Sequence, residues 1–281
     1  MEKLLLVDGS NLLFQMFYGM PARISNHEGK AIQGTLGFVG ALLKIVRMVQ
    51  PTHVAVLFDG ECENKRKDID VEYKANRPDY SQVPEEETPF SQMPDVYEAL
   101  DYLGMAHGET TDCEADDWIA GYVREYGSEM KIVIVSQDSD FFQLITDRVN
   151  VLRYRGDKTV MCDVAYIREK LGVKPAQYAE YKSLTGDNAD NIRGAEKVGP
   201  KTAAALMKEF GSLERMLLQV QEIKTPSVRQ SIMKEADRLR KNYQLIALSG
   251  AEKLPFSRER MVFEDRGMTT TDVLRGIGLR K

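Results

Sequence analysis

The sequence predicts an α/β protein with a mostly parallel central sheet, followed by a helical C-terminal region. Four apolar, β-branched runs at residues 3–7, 53–58, 131–136 and 149–154 read as buried strands. Segments of helical period lie between them, at 35–49, 90–103 and 115–125, and such alternation implies right-handed crossovers between parallel strands. After about Cys162 the pattern changes to short helices punctuated by Gly and Pro, at 164–171, 175–184, 201–210 and 234–247. The expected division is an α/β core over 1–162, with a polar insertion at about 60–94, and a helical region over 163–281. No internal repeat is visible, and residues 261–281 are only weakly patterned.

Composition removes several classes. With 43% hydrophobic and 29% charged residues in 281, the chain has ordinary globular proportions and enough length to bury a core. Its longest apolar runs are about five residues, whereas a membrane-spanning helix needs ~20. The N-terminus has no export pattern. Cys62, Cys113 and Cys162 are scattered, as are His27, His53 and His107, which fits neither a disulfide framework nor a zinc site. A reduced, cytoplasmic protein is expected, monomeric for want of any oligomerisation signal.

In open α/β sheets ligands bind beyond the carboxyl ends of the strands, and here those ends are acidic. Asp8 follows the first strand, Asp59 the second, and Asp138 and Asp140 the third. Glu114, Asp116 and Asp117 open a helix. Acids there complement the helix dipole, but three together repel. Either that helix begins after Glu114 or one of the three plays a supporting role. Asp187 and Asp190 lie one turn apart in a Gly-Asp-Asn-Ala-Asp-Asn segment that would otherwise read as an Asx-turn.

Nine carboxylates in one crevice need compensation, and no comparable set of Lys or His flanks them in sequence. Divalent cations supply it, and all-oxygen ligation favours Mg²⁺ or Mn²⁺. This many acids suggests two or more ions, the arrangement used in phosphodiester hydrolysis. The net charge of −5 naively opposes a nucleic-acid partner, yet setting the nine acids aside leaves the rest of the chain at +4.

A second signal is independent. Residues 192–202, IRGAEKVGPKT, precede a helical run. Gly194 and Gly199 permit tight turns, Pro200 suits a helix start, and exposed N–H groups beside Lys201 and Thr202 form a phosphate site. The bland alternative is a packing joint between helices. It is not a Walker A loop, since Pro200 takes the required Lys position. The insertion carries Lys65, Arg66, Lys67, Lys74 and Arg77, a run that reads by default as a solvated amphipathic face, with Tyr73 among them as a candidate stacking platform. Residues 224–241 carry six cations that fit either a phosphate-tracking helix or a merely soluble one.

These strings together resemble the 5′-nuclease (flap endonuclease) family, which includes the N-terminal domain of bacterial DNA polymerase I and its stand-alone relatives. VDGSNLLF from Val7, FDG from Phe58, YKANRP from Tyr73, CEADDWIA from Cys113, SQDSDFFQL from Ser136, LTGDNADNIRG from Leu184 and VGPKTA from Val198 occur in the family's order. The resemblance implies a PIN-like parallel sheet, a helical arch over the active site, and a helix–hairpin–helix that holds duplex DNA, with a K⁺ ion there. It implies a first metal site of Asp8, Asp59, Glu114 and Asp116, with Asp117 close by. Asp138, Asp140, Asp187 and Asp190 would form or support a second. Arg66, Tyr73, Lys74 and Arg77 match arch residues at the 5′ strand, and Gly194, Val198, Gly199, Lys201 and Thr202 match the duplex-binding hairpin. The implied activity is flap endonuclease and 5′-3′ exonuclease cleavage of DNA near single-strand/duplex junctions, in replication and repair.

The chain departs from the pattern at Gln15, where polymerase-linked members carry Arg, at Lys65, and at Gln137 and Ser139, where Gly and Lys are common. Glu196 in the hairpin would not help phosphate binding. With no polymerase segment after Lys281, a stand-alone enzyme or an excised domain is expected. The competing readings are a catalytically weak, structure-specific DNA-binding protein and a PIN-like ribonuclease. The ribonuclease would keep the acids without needing the hairpin or the insertion.

Overall fold

The computed structural model describes residues 2–60, 65–80 and 82–281, without the side chain of Lys65. Cys62 therefore lies outside the described residues, as does the side chain of Lys65. Strands β1 (Lys3–Asp8), β2 (His53–Phe58), β3 (Ala106–Glu109), β4 (Lys131–Val135), β5 (Val149–Arg153) and β6 (Val160–Cys162) form one sheet in the order β3-β2-β1-β4-β5-β6. All neighbours are parallel except β6, which runs antiparallel to β5. Leu4 to Val7 and Val54 to Phe58 are fully buried, as strands covered on both faces must be. Burying each Val, Leu or Phe side chain among them contributes roughly 1.5–3 kcal/mol.

The helices are α1 (Gly9–Gly19), α2 (Gln33–Val49), α3 (Lys65–Ile69), α4 (Met93–Leu103), α5 (Ala115–Tyr126), α6 (Val164–Leu171), α7 (Tyr178–Thr185), α8 (Pro200–Phe210), α9 (Leu213–Leu218), α10 (Pro226–Ile246) and α11 (Thr270–Gly276). A second small ribbon, β7 (Gly186–Asp187) with β8 (Ile192–Arg193), joins α7 to the turn before α8. One face of the sheet packs on α1, α2, α4 and α11 through Leu5, Val7, Phe38, Leu42, Leu100 and Leu274. The opposite core runs from Leu4 and Leu6 through α5 into the C-terminal helices at Met207, Met216 and Ile232.

The strand count needs correction, and the structure fills in the tail and the insertion. The sheet has two more strands than the four read from sequence. β3 is AHGE, without β-branched residues, and β6 is a three-residue edge strand with Val160 and Met161 exposed. The weakly patterned tail is ordered, with Val273 and Leu274 of the short α11 buried against α2 and α4. The insertion shows, among the described residues, no long arch helix. It contains α3 and two 3₁₀ turns, Glu85–Glu87 and Pro89–Gln92.

β1 is flanked by β2 and β4, so the order reverses at β1, and a crevice opens where these three strands end.

Candidate active site

Asp8 ends β1 and caps α1, its carboxylate accepting from the Asn11 N–H at 3.0 Å and from the Ser136 hydroxyl at 2.8 Å. Asp59 follows β2 and accepts from the Ala115 N–H at 2.8 Å. That bond ties the end of β2 to the start of α5, whose N-cap is Glu114. The helix thus begins after Glu114, which settles the alternative left open by the acidic triplet. Asp138 lies just beyond β4 and accepts from the Asp140 N–H at 2.8 Å.

Asp8, Asp59, Asp116 and Asp138 line one cleft of about 500 Å³, together with Phe14, Lys74, Arg77, Tyr80 and Phe90. Among the described residues none of these four carboxylates has an ion-pair partner. Their electrostatics register that: burial, then the charge of Asp59, pushes the Asp8 carboxyl up to about 7. Asp116 is raised well above the usual carboxylate range by burial and then by Asp138, Asp8 and Asp59. Acids so destabilised as anions, all offering oxygen, could hold a hard divalent cation.

The other five acids are compensated by protein cations, which corrects the expectation that no such set exists. Arg66 pairs with Glu114 at 2.5 Å and with Asp117 at 2.9 Å, and also donates to the Leu245 carbonyl. Lys74 pairs with Glu114 at 2.5 Å and Arg77 with Asp190 at 3.0 Å. Lys182 contacts both Asp140 and Asp187. Although burial would raise it, Glu114 is held below its ordinary range by Lys74 and Arg66. Asp117 stands with Arg66 and closes a capping box on the Glu114 N–H at 3.3 Å. It is thus held apart from the four cleft acids. Asp140, Asp187 and Asp190 form a second group, each with one carboxylate oxygen within 4.8 Å of the others.

Sequence reasoning missed Lys182. Its signal was present: Lys182 follows Tyr178 by four residues on α7, and a Lys on a core-facing stripe announces a buried anion.

The insertion is docked onto the second group. Lys74 N–H donates to the Asp190 carbonyl at 3.0 Å, Asn76 Nδ2 to the Asn188 carbonyl at 2.7 Å, and Asn191 Nδ2 to the Glu72 carbonyl at 2.8 Å. Lys74 adopts φ 58°, and Asn191 likewise has a positive φ. Lys74 spends backbone strain to hold its ammonium over the acids. Although burial opposes it, Glu114 and then Asp190 keep that ammonium above its ordinary pKa.

Two arch expectations change. Tyr73 is only 4% exposed, packed among Ala179, Ile192 and Leu245 with its hydroxyl 3.5 Å from Asp190. Its ring faces the core and cannot serve as a stacking platform. Arg66 is an internal counter-charge for two acids, not a group extended toward a strand. The exposed edge of the cleft instead carries an aromatic group in which Phe14 meets Tyr18, Tyr80 and Phe90 edge-on.

In the hairpin, Gly199 caps α8 and is exposed with Pro200 and Lys201, while Thr202 is half-buried. Val198 is buried, so its side chain is a packing group. Gly194 is a close-approach glycine: a Cβ there would lie 2.4 Å from the Thr185 carbonyl carbon. The cations of α10 are largely spent within the fold. Arg238 pairs with Glu235 and donates to the Gly194 carbonyl, Arg240 pairs with Glu214, and Lys241 pairs with Asp70. That favours a bracing helix over a phosphate-tracking one. Gln15 is likewise engaged, donating to the Tyr154 carbonyl at 2.7 Å and meeting Gln137 at 3.4 Å.

Comparison with known proteins identifies the family of the chain. Residues 3–172 match the family described as the 5′-3′ exonuclease N-terminal resolvase-like domain, and residues 173–268 match the 5′-3′ exonuclease C-terminal SAM fold. The chain belongs to the 5′-3′ exonuclease family. It is 35% identical over 271 residues to DNA polymerase I of Rhizobium leguminosarum, covering 94% of this chain and 26% of that protein. It therefore spans about a quarter of that relative's length. It is 32% identical to the 5′-3′ exonuclease of Aquifex aeolicus, covering 77% of this chain and 73% of that one. Among solved structures, the T5 D15 protein co-crystallised with metal ions superposes with TM-score 0.72 at 25% identity, covering 88% of this chain and 90% of that one. The catalytic core of Rad2 in complex with DNA substrate shares the fold, with TM-score 0.61 at 16% identity over 98% and 93% of the two chains. No helix among the described residues is long and apolar enough to cross a membrane.

Proposed function

We propose that this protein is a divalent-metal-dependent, structure-specific 5′ nuclease that hydrolyses DNA phosphodiesters near single-strand/duplex junctions, in replication and repair. The observation that carries the reading is the cleft in which Asp8, Asp59, Asp116 and Asp138 have no ion-pair partner among the described residues while Lys74 and Arg77 share its wall. These four would hold one divalent ion, Mg²⁺ or Mn²⁺, and Asp140, Asp187 and Asp190 a second; Glu114 and Asp117 would brace the first group. Bound there, the ions supply Lewis-acid activation and charge neutralisation for an in-line displacement at phosphorus.

The chain's own residues do the rest. Lys74, positioned by Glu114 and by its bond to the Asp190 backbone, presents positive charge to the scissile phosphate. Arg77, half-exposed, steers the 5′ strand toward it, while Tyr73 and Arg66 anchor the segment that carries both. The 1–162 core supplies most of the chemical groups, and the 163–281 region adds Asp187 and Asp190. The 163–281 region grips duplex backbone at the α8 N-terminus, where Gly199, Lys201 and Thr202 offer N–H groups and charge, with Gly194 and Val198 shaping the turn. A K⁺ ion at that turn, a monomeric state and a cytoplasmic location complete the proposal. Junction shape and the 5′ strand are the recognised features.

The test is cleavage of a 5′-labelled DNA flap beside the same flap in RNA and a linear duplex, with Mg²⁺ present. Preferential cutting of the DNA flap at the junction supports the reading. Equal or better cutting of RNA would favour the ribonuclease alternative.

A further inference from the structure

Lys182 is a buried cation that the proposed reaction does not use. Its ammonium contacts the carboxylates of Asp140 and Asp187, lies 3.2 Å from the Ser139 hydroxyl, and sits 5.9 Å from the centre of the Tyr178 ring. The side chain is 9% exposed, as is that of Asp140. The two carboxylates it bridges belong, with Asp190, to the group whose oxygens converge within 4.8 Å. Carboxylates hold it charged despite its burial. An ammonium and a divalent cation cannot share the same two carboxylates without repulsion, and the low dielectric of a buried site magnifies it. The four-carbon stem of Lys lets the head swing away when a better cation arrives.

We propose that Lys182 is a built-in counter-ion that competes with the second divalent ion for Asp140 and Asp187. The inference rests on the reading of these acids as a metal site. It makes the two groups unequal. The cleft group of Asp8, Asp59, Asp116 and Asp138 has no such competitor among the described residues and takes its ion first. The second group is neutralised by Lys182 in the DNA-free protein and loads its ion only at higher concentration, or when a substrate phosphate adds negative charge beside it.

The experiment is a Mn²⁺ titration of the full chain without DNA, followed by electron paramagnetic resonance, for wild type, Lys182→Gln, Lys182→Met and Lys182→Arg. Thermal melts in EDTA and in Mn²⁺ accompany it. Wild type should bind one ion well and a second weakly. Lys182→Gln should tighten the second ion at least tenfold with the first unchanged, lose Tm in EDTA, and regain it with Mn²⁺. Lys182→Met, nearly isosteric with the stem, should behave the same if Gln packs poorly against Tyr178. Lys182→Arg keeps the charge and should keep the second ion weak. A second-ion affinity that is unchanged or weaker in folded Gln and Met variants would overturn the proposal. Absence of Mn²⁺ binding in wild type and every variant would instead sink the metal-site reading beneath it.

Discussion

The backbone N–H of Lys74 donates to the carbonyl of Asp190 at 3.0 Å, across 116 residues of chain. Through this bond the insertion that carries the cations and the loop that carries the last acids form one unit. Lys74 accepts φ 58° to make it, so the position of its ammonium is fixed by fold and not by side-chain preference alone.

Lys74→Ala keeps the backbone geometry and removes the charge. Loss of one preorganised charge stabiliser costs about 10²–10³-fold in rate. We expect kcat for flap cleavage to fall by that order while the affinity for the flap, measured with Ca²⁺ in place of Mg²⁺, changes only a few-fold. An equal loss in binding and turnover would place Lys74 in docking instead.

Tyr73→Ala separates packing from stacking. As a buried ring it should destabilise the protein by roughly 3 kcal/mol, in the range for large-to-small core changes, read from urea denaturation. Undiminished stability with weakened single-strand binding would restore the stacking role.

Gly194→Ala should destabilise by roughly 2 kcal/mol or more, because the new Cβ meets the Thr185 backbone and not a movable side chain. Lys201→Ala, by contrast, should leave stability within about 0.5 kcal/mol. It should weaken duplex binding uniformly across sequences and lower the salt slope by about 1.

The acids dictate a pH dependence. Asp8 and Asp140 are both pushed up to about 7, chiefly by burial. Between their ordinary range near 4 and pH 7 the folded state therefore holds more protons than the unfolded one. Stability of the metal-free protein should fall as pH rises through that window. Tm in EDTA should accordingly be higher at pH 5 than at pH 8, and the gain from Mg²⁺ should be larger at pH 8. The reverse order would contradict the assignment of these groups.

Much of this was legible in sequence because strands buried on both faces leave long apolar runs, and because Asp8, Asp59 and Asp138 sit directly at their ends. β3 was hidden because AHGE takes its strand conformation from pairing with β2, not from its own residues. The pairings of Lys182 and Arg66 were hidden for a different reason. Lys182 reaches Asp140 across 42 residues and Arg66 reaches Glu114 across 48, so only the folded topology brings those charges together. Tyr73 was misread because a basic, polar neighbourhood in sequence says nothing about which face of a ring the fold covers.

The central claim is that the four cleft carboxylates, without an ion-pair partner among the described residues, hold a catalytic ion. Cleavage of a 5′-labelled DNA flap by wild type and Asp116→Asn, each with Mg²⁺ and with EDTA, tests it most directly. We expect wild type to cut at the junction only with Mg²⁺, and Asp116→Asn to lose at least about 100-fold while binding the flap as before. Cutting by wild type in EDTA, or an undiminished rate in Asp116→Asn, would contradict the account.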